Sequence, residues 1–416
     1  MTSPPAPSST AALLRQRPFL LFWGARFATI LAAQAQAVTI AWQVYAVARI
    51  GGATVKEAAF DVGMIGLAQF IPLFLLTLIS GEVADRYDRR IICAICLGVE
   101  AVSAATLAYL AWSGSTALWP IFTVAAAFGS ARAFYNPAST AMGPMLVPRD
   151  LLPRAIAWNS LAWQGASIAG PALGGLLCAL SSAISYEVSL GLYLVSAVGL
   201  LLININTKTA TQPGSRIELI KEGLAYVWSN KIVFGAISLD LFAVLLGGAT
   251  ALMPVYARDV LHVGAEGFGV LRAGPAIGAT IVAIALTVRP IKHKAGIFMF
   301  TGVAIFAVAT LVFAVSKSMT LSVAALAILG GADMLSVYIR QTLIQIVTPD
   351  VMRGRVAAVS VLFIGASNEL GEFESGVVAR LIGPIGAALF GGWGALIVTG
   401  TWAWLFPALR KADRLE

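Results

Sequence analysis

Charge is what this sequence has least of. Only 12% of its 416 residues are Asp, Glu, Lys or Arg, while 59% are hydrophobic. A water-soluble protein of that composition would be coated in apolar surface, so a soluble globular class is excluded. Histidine and cysteine are scarcer still. His262 and His293 fall in loops expected on opposite sides and cannot share a metal, and Cys93, Cys96 and Cys178 all lie in apolar runs. Cys93 and Cys96 have CxxC spacing but neither a second pair nor a neighbouring His. They read as small buried helix residues, and no metal or cofactor is implied. The motifs H-E-x-x-H and G-x-S-x-G are missing, which argues against a membrane-embedded enzyme. Apolar/polar alternation is missing too, which argues against a β-barrel.

What is there is apolar length. Twelve consecutive stretches, 19–47, 60–80, 91–111, 118–139, 153–180, 184–204, 232–257, 267–288, 296–316, 320–346, 356–378 and 385–406, are each long enough to cross a bilayer. Crossing a ~30 Å hydrocarbon core takes roughly 20 helical residues at a rise of about 1.5 Å. The fold class expected is an all-α membrane protein of twelve transmembrane helices. The 40 Gly and 18 Pro are compatible with it, because neighbouring helices satisfy the backbone groups these residues free. TSPPAPSST, at the start, lacks a positive region and an A-x-A site, so the first stretch is expected to be retained.

The only long polar segment, 205–231, divides the stretches six and six. The expected organisation is a tail 1–18, a six-helix half 19–204, a linker 205–231, a second half 232–406 and a tail 407–416. Within the linker, Ser215-x-x-Glu218 has capping-box spacing, and Ile217, Ile220, Leu224 and Val227 follow at helical intervals. An amphipathic helix at the membrane interface is expected there, serving as a tether.

The basic residues are one-sided. With the N-terminus placed in the cytoplasm, 19 of the 28 Lys and Arg fall in cytoplasmic segments and 5 on the other side. The positive-inside rule then puts both termini in the cytoplasm. This bias accounts for the formal net charge of +8. The basic residues form no stripe, so nucleic acid is not an expected partner.

The halves repeat weakly. At an offset of 201 residues Pro148 matches Pro349, Arg154 matches Arg355, Ala157 matches Ala358 and Gly170 matches Gly371. Repeated halves of parallel topology are a common build for secondary transporters.

After the second stretch the chain reads Gly81-Glu82-Val83-Ala84-Asp85-Arg86-Tyr87-Asp88-Arg89-Arg90. This resembles the signature loop of the major facilitator superfamily, roughly G-x-L-A-D-R-x-G-R-R. Gly81, Ala84, Asp85, Arg86, Arg89 and Arg90 match, Val83 stands for Leu, and Asp88 replaces the second Gly. The resemblance implies a conformational latch at Gly81, Asp85, Arg86, Arg89 and Arg90. The element Gly165-Ala-Ser-Ile-Ala-Gly170-Pro171-Ala-Leu-Gly174-Gly175 is similar to the Gly-Pro-x-x-Gly-Gly element of the superfamily's exporters, with small residues for tight packing and Pro171 for a bend. Arg132 stands where the superfamily often has a buried Arg, although Asn136-Pro137 replaces the usual Gln-Gly. Within the superfamily the pattern looks most like bacterial exporters of the enterobactin-exporter and macrolide-efflux type.

That resemblance implies a multi-pass transporter of the bacterial inner membrane, functional as a monomer, exchanging a small amphipathic molecule (siderophore, drug or other metabolite) for protons. An importer or a lysophospholipid flippase of the same fold is the alternative; a channel fits the two-halved repeat less well. The resemblance also makes stretches one, four, seven and ten line a central cavity. Arg26, Gln36 and Gln43, then Arg132, Asp240, and Asp333 with Arg340, fall on those stretches. An ionisable residue at a membrane helix centre costs about 2.5–3.5 kcal/mol on insertion scales, so each should face a cavity or a partner. Arg132 and Asp333 are 201 residues apart and occupy equivalent positions, which makes them a candidate pair; static pairs that fix helix packing are the other reading. For Arg26, snorkelling to the surface competes, and Arg272 reads as a surface anchor. Glu369 and Glu372 share a helix face, and two adjacent carboxylates in low dielectric cannot both ionise cheaply. They are proton-coupling candidates, with Asp240 and Glu100 as the others; structural pairing or a watery vestibule is the competing reading of Glu369 and Glu372.

Overall fold

The computed structural model describes residues 10–205 and 216–413, and among these the chain is helical without strands. We label the long helices α1 (Arg17–Ile50), α2 (Val55–Arg86), α3 (Arg89–Trp112), α4 (Trp119–Met142), α5 (Leu152–Leu180), α6 (Ser182–Leu201), α7 (Lys231–Leu246), α8 (Ala265–Val288), α9 (Ala295–Val315), α10 (Met319–Val347), α11 (Asp350–Ile382) and α12 (Pro384–Leu405). Irregular helical turns extend α7 as far as Val260. Ten of these segments are long and apolar enough to cross a membrane. The other two, α4 and α5, have the length, but Arg132, Asn136, Asn159 and Gln164 dilute their hydropathy.

Helix ends follow local chemistry. Asp88, Ser181 and Asn230 cap α3, α6 and α7 by accepting hydrogen bonds from backbone N–H groups of the first turn. Between α11 and α12 the chain reverses at Gly383, whose φ of +85° suits glycine, and Pro384 opens the next helix. The N–H of Lys294 donates to the Asp413 carboxylate at 2.8 Å, and the next two N–H groups donate to the carbonyls of Asp413 and Ala412, so the C-terminal segment closes the start of α9.

The outward faces are apolar. Leu75, Val102, Ile281 and Ile397 are 62–67% exposed; such faces are at home in lipid and not in water. Polar residues turn inward and join helices. On α6, Ser196 donates to the Ala25 carbonyl of α1 at 3.0 Å, Ser185 meets Thr39 of α1 at 2.6 Å, and Ser189 lies fully buried between them. Lipid supplies no hydrogen-bonding competitor, so these bonds act as interhelical glue.

Packing divides the chain into two compact units. The first comprises the described residues within Met1–Thr39, Pro72–Ser115 and Val124–Pro213; the second comprises those within Ile40–Ile71, Thr116–Thr123 and Gly214–Glu416. The core of the first gathers Phe22, Cys93, Leu97, Phe128, Tyr135 and Tyr193 from α1, α3, α4 and α6. That of the second gathers Leu239, Met299, Phe300, Ile339 and Val398 from α7, α9, α10 and α12. All three cysteines are free and buried. Beside the second core, the helix Arg216–Ser229 is held by an ion pair of Glu222 with Arg355 and by a Tyr226 hydrogen bond to the Val347 carbonyl at 3.2 Å. Ser215 of the capping-box spacing lies outside the described residues.

In the first unit, α5 lies on α1 through small residues. A Cβ built on Gly174 would stand 2.6 Å from the Ala35 carbonyl oxygen, and one on Gly170 would stand 2.5 Å from the Gln34 Cβ. Gly165 meets only the Phe27 ring at ordinary contact distance, while Pro171 and Gly175 are buried within the helix. Overpacking such a contact typically costs about 1–3 kcal/mol. We therefore expect Gly174→Leu to lower the melting temperature of the detergent-purified protein by several degrees or to prevent its accumulation. Gly191→Ala, where the space is open, should leave it unchanged.

Candidate functional site

The most concentrated buried charge lies in the second unit. Asp240 of α7 and Arg340 of α10 form a close ion pair, with side chains 8% and 2% exposed. Asp333, two helical turns before Arg340, lines one small crevice with Asp240, Ser336, Val303 and Phe306, and lies within electrostatic reach of both charged partners. Two carboxylates thus share one guanidinium. When Arg340 neutralises Asp240, Asp333 has negative charge left over for a proton or a cationic group.

Arg132 belongs to the first unit, where Glu100 of α3 feels its charge and its guanidinium lies over the Phe128 ring, 5.9 Å from the centroid. The structure thus brings Asp333 together with Asp240 and Arg340, and Arg132 together with Glu100. Arg26 stacks over the Phe22 ring at 6.0 Å. On α1, Gln36 and Gln43 are both buried. Neither amide atom of Gln36 has a hydrogen-bond partner among the described residues.

Several local readings change. The Gly81–Arg90 segment is less a loop than a helix end: α2 runs through Arg86, and only Tyr87 and Asp88 separate it from α3. Glu82 with Arg86 at 2.9 Å, one turn apart on α2, supports the extension, and Asp85 pairs across the break with Arg89 of α3 at 3.5 Å. Buried Arg89 also donates to the Ala84 carbonyl at 3.1 Å, and Arg90 reaches the Ile203 carbonyl. Asp88 needs no glycine conformation, since its φ is −62°, and its carboxylate caps α3 through the Arg90 N–H. Arg272 is no free surface anchor. It pairs with Glu372 at 3.4 Å and donates to the Thr250 carbonyl. Glu369 and Glu372 lie well inside α11. Glu372 has an arginine beside it, while Glu369 is buried.

Sequence reading missed a cluster whose members are more than 200 residues apart. The Tyr45 hydroxyl donates to the Asp259 carboxylate, Arg49 lies 3.9 Å from the same carboxylate, and Arg258 sits over the Tyr45 ring at 6.0 Å. Also in the second unit, α2 meets α11 backbone to backbone. A Cβ on Gly63 would fall 2.7 Å from the Gly376 Cα. The spacing Gly63-x-x-Gly66 was the one available signal for that contact.

A family model described as transmembrane secretion effector matches residues 8–416. The chain belongs to that family. It is therefore a transporter of the major facilitator superfamily and not an enzyme. Among curated relatives, the enterobactin exporter EntS of Shigella dysenteriae serotype 1 (strain Sd197) is 24% identical over 391 residues, covering 93% of this chain and 91% of that protein. EntS of Citrobacter koseri (strain ATCC BAA-895) is 25% identical over 394 residues, with the same coverage. Among solved structures, a peptide-bound transporter of the POT family aligns with a TM-score of 0.73 at 10% identity, covering 94% of this chain and 96% of that one. A bacterial homologue of the iron transporter ferroportin aligns at 0.68 and 16%, covering 96% and 100%. At these identities the structural likeness speaks for the fold.

Removing one partner of a buried ion pair leaves an uncompensated charge, typically at a cost of about 3–5 kcal/mol. For this family member, Asp240→Ala and Arg340→Met should each lower thermal stability, and the double variant should lose clearly less than their sum. The cycle should return a coupling of about 1–3 kcal/mol in detergent melts. Additive losses would mean the pair contributes nothing as a pair.

Proposed function

We propose that this protein is a secondary active exporter. It carries a small amphipathic, siderophore-like molecule out of the cell by alternating access and draws on the proton gradient. The observation that carries the reading is the buried Asp240–Arg340 pair with a second, half-buried carboxylate, Asp333, in the same crevice on α7 and α10. A transporter with no cofactor needs a group whose charge changes during the cycle, and a surplus carboxylate in low dielectric is such a group. Similarity to EntS along nearly the whole chain supports the outward direction and the substrate class. On this reading Asp333 and Asp240 exchange the proton and Arg340 sets its release, with Glu369 as the next candidate. Arg26, Gln36, Gln43 and Arg132 contact substrate. The protein works as a monomer in the bacterial inner membrane, both termini in the cytoplasm, with 19–204 and 232–406 as its moving halves and 205–231 joining them.

Two outcomes follow. In a bacterium lacking its own enterobactin exporter, this chain should restore secretion of the siderophore, and Asp333→Asn should cut secretion by about tenfold or more at equal membrane abundance, a loss of at least about 1.4 kcal/mol in the limiting step. In proteoliposomes, uptake driven by an imposed pH difference should vanish in Asp333→Asn while substrate exchange without a gradient continues. Wild-type activity in that variant would remove Asp333 from the coupling.

Asp85, at the end of α2, is proposed as the latch through its contact with Arg89. Asp85→Asn should slow transport several-fold with normal insertion, and should shift cysteine-labelling rates at opposite ends of the helices in opposite senses. Unchanged labelling with full transport would rule the latch out.

A further inference from the structure

α9 and α10 cross closely at one point: a Cβ built on Gly302 of α9 would stand 3.1 Å from the Ala332 carbonyl oxygen of α10. Between that crossing and the turn 316–318, the two helices border an apolar groove of about 390 Å³, apart from the charge cluster of α7 and α10. Its walls are branched side chains that face outward. Ile305 and Val308 of α9, and Leu321 and Ile328 of α10, are 40–55% exposed. Its floor is alanine, with Ala309 and Ala325 almost fully buried. The Thr301 hydroxyl is the single polar side-chain group in the lining. Tall side chains flanking short ones thus leave a furrow open to the bilayer.

The furrow is narrow. It runs from Thr301 to Val312 along α9, roughly 16 Å at a rise of about 1.5 Å per residue. Its volume over that length gives a mean cross-section of roughly 24 Å². A helix with its side chains is about 10–12 Å across, or roughly 80–110 Å² in section, so a helix of another copy cannot enter it. A single unbranched hydrocarbon chain can. Lipid tails are as apolar as the furrow, so the gain is dispersion contact. A chain held between two walls and a floor meets more atoms than one lying on a flat helix face.

Charge completes the fit. From Ala295 to Ala332 the sequence has one charged side chain, Lys317, and no acid. Lys317 is exposed in the turn at the mouth of the groove, about one helical turn beyond Val312 and one before Leu321. That turn is pinned. Ser316, buried, accepts hydrogen bonds from the Ser318 N–H at 3.3 Å and from the Ser322 hydroxyl at 2.9 Å. A lysine so placed, at the membrane surface above an apolar furrow, attracts a phosphate whose tail lies in the furrow.

We propose that the α9–α10 groove binds one acyl chain of an anionic phospholipid, with the lipid phosphate at Lys317. The seated chain braces the crossing of Gly302 with Ala332, next to Asp333 in the sequence, and stabilises the folded protein by linkage.

The test uses no transported substrate, so it is independent of the proposed export. Phosphatidylglycerol with palmitoyl chains is titrated into the purified full-length protein in detergent and followed by native mass spectrometry and thermal melting. One lipid should stay bound per chain at concentrations where further lipids are lost, and the melting temperature should rise by several degrees. Ala324→Phe, at an exposed lining position, should fill the groove and weaken retention about tenfold through lost contacts, with melting in detergent alone unchanged. Ala304→Leu, half-buried on the other helix, should do the same and serves if Ala324→Phe does not accumulate. Ile297→Phe, 54% exposed on α9 outside the groove, should bind as the wild type does. Lys317→Gln should weaken phosphatidylglycerol about fivefold and leave dipalmitoylglycerol, which has no phosphate, unaffected. Equal retention in Ala324→Phe and Ile297→Phe would overturn the site and leave only annular lipid. A two-chain species that Ala324→Phe abolishes would overturn it too, because the groove would then be an interface between copies. Unchanged phosphatidylglycerol binding in Lys317→Gln would overturn the place of the phosphate.

Discussion

Everything in this molecule answers to one constraint: lipid offers no hydrogen bonds, so each polar group in the spans must find its partner inside the protein. Backbone groups meet it by forming helices nearly throughout the described residues. Side chains meet it by turning inward. The buried serines of α6 bond to α1, and Trp402 of α12 bonds to Ser238 of α7 at 2.9 Å. What remains unsatisfied is informative, because leaving a polar atom without a partner costs more here than at a wet surface. Gln36, Glu100 and Tyr193 of the first unit carry such atoms, and so does Thr348 of the second.

The same constraint separates structural from working charge. Arg272 with Glu372 is a pair at a partly exposed site, where exchange with solvent is open. Asp240, Asp333 and Arg340 are different: the numbers do not match, and a half-buried Asp333 shares a crevice with a buried ion pair. A site with one acid too many cannot rest fully ionised without cost, so its occupancy by a proton becomes a variable that transport can use.

Glycine sets how close the helices come. Gly174 on α1 and Gly63 on Gly376 bring backbones to distances that a methyl group would forbid. Tight crossings of this kind let helix pairs gain dispersion contacts that lipid chains cannot match, which replaces the hydrophobic drive absent inside a bilayer. The departure of Asp88 from the superfamily's glycine has an equally local cause. The turn into α3 is made in ordinary backbone conformation, and a carboxylate there caps the helix.

The order of letters alone determined the fold class, because twelve apolar runs of bilayer length admit few other solvents or architectures. It determined the family as well, through the Gly81–Arg90 pattern and the Gly165–Gly175 element, and it singled out Asp240, Asp333 and Arg340 because charge inside an apolar run is conspicuous wherever it occurs. Partners were another matter. Periodicity put Asp333 and Arg340 on one face of α10, but it carried no information on which helix lay opposite; the fold supplied Asp240 of α7 as the partner of Arg340. Tyr45 and Asp259 were invisible for the same reason, since a contact across more than 200 residues leaves no local trace. The tertiary structure decided the pairing, because partners in a helical membrane protein are chosen by which faces pack together, and that choice is a property of the assembled bundle and not of any one span.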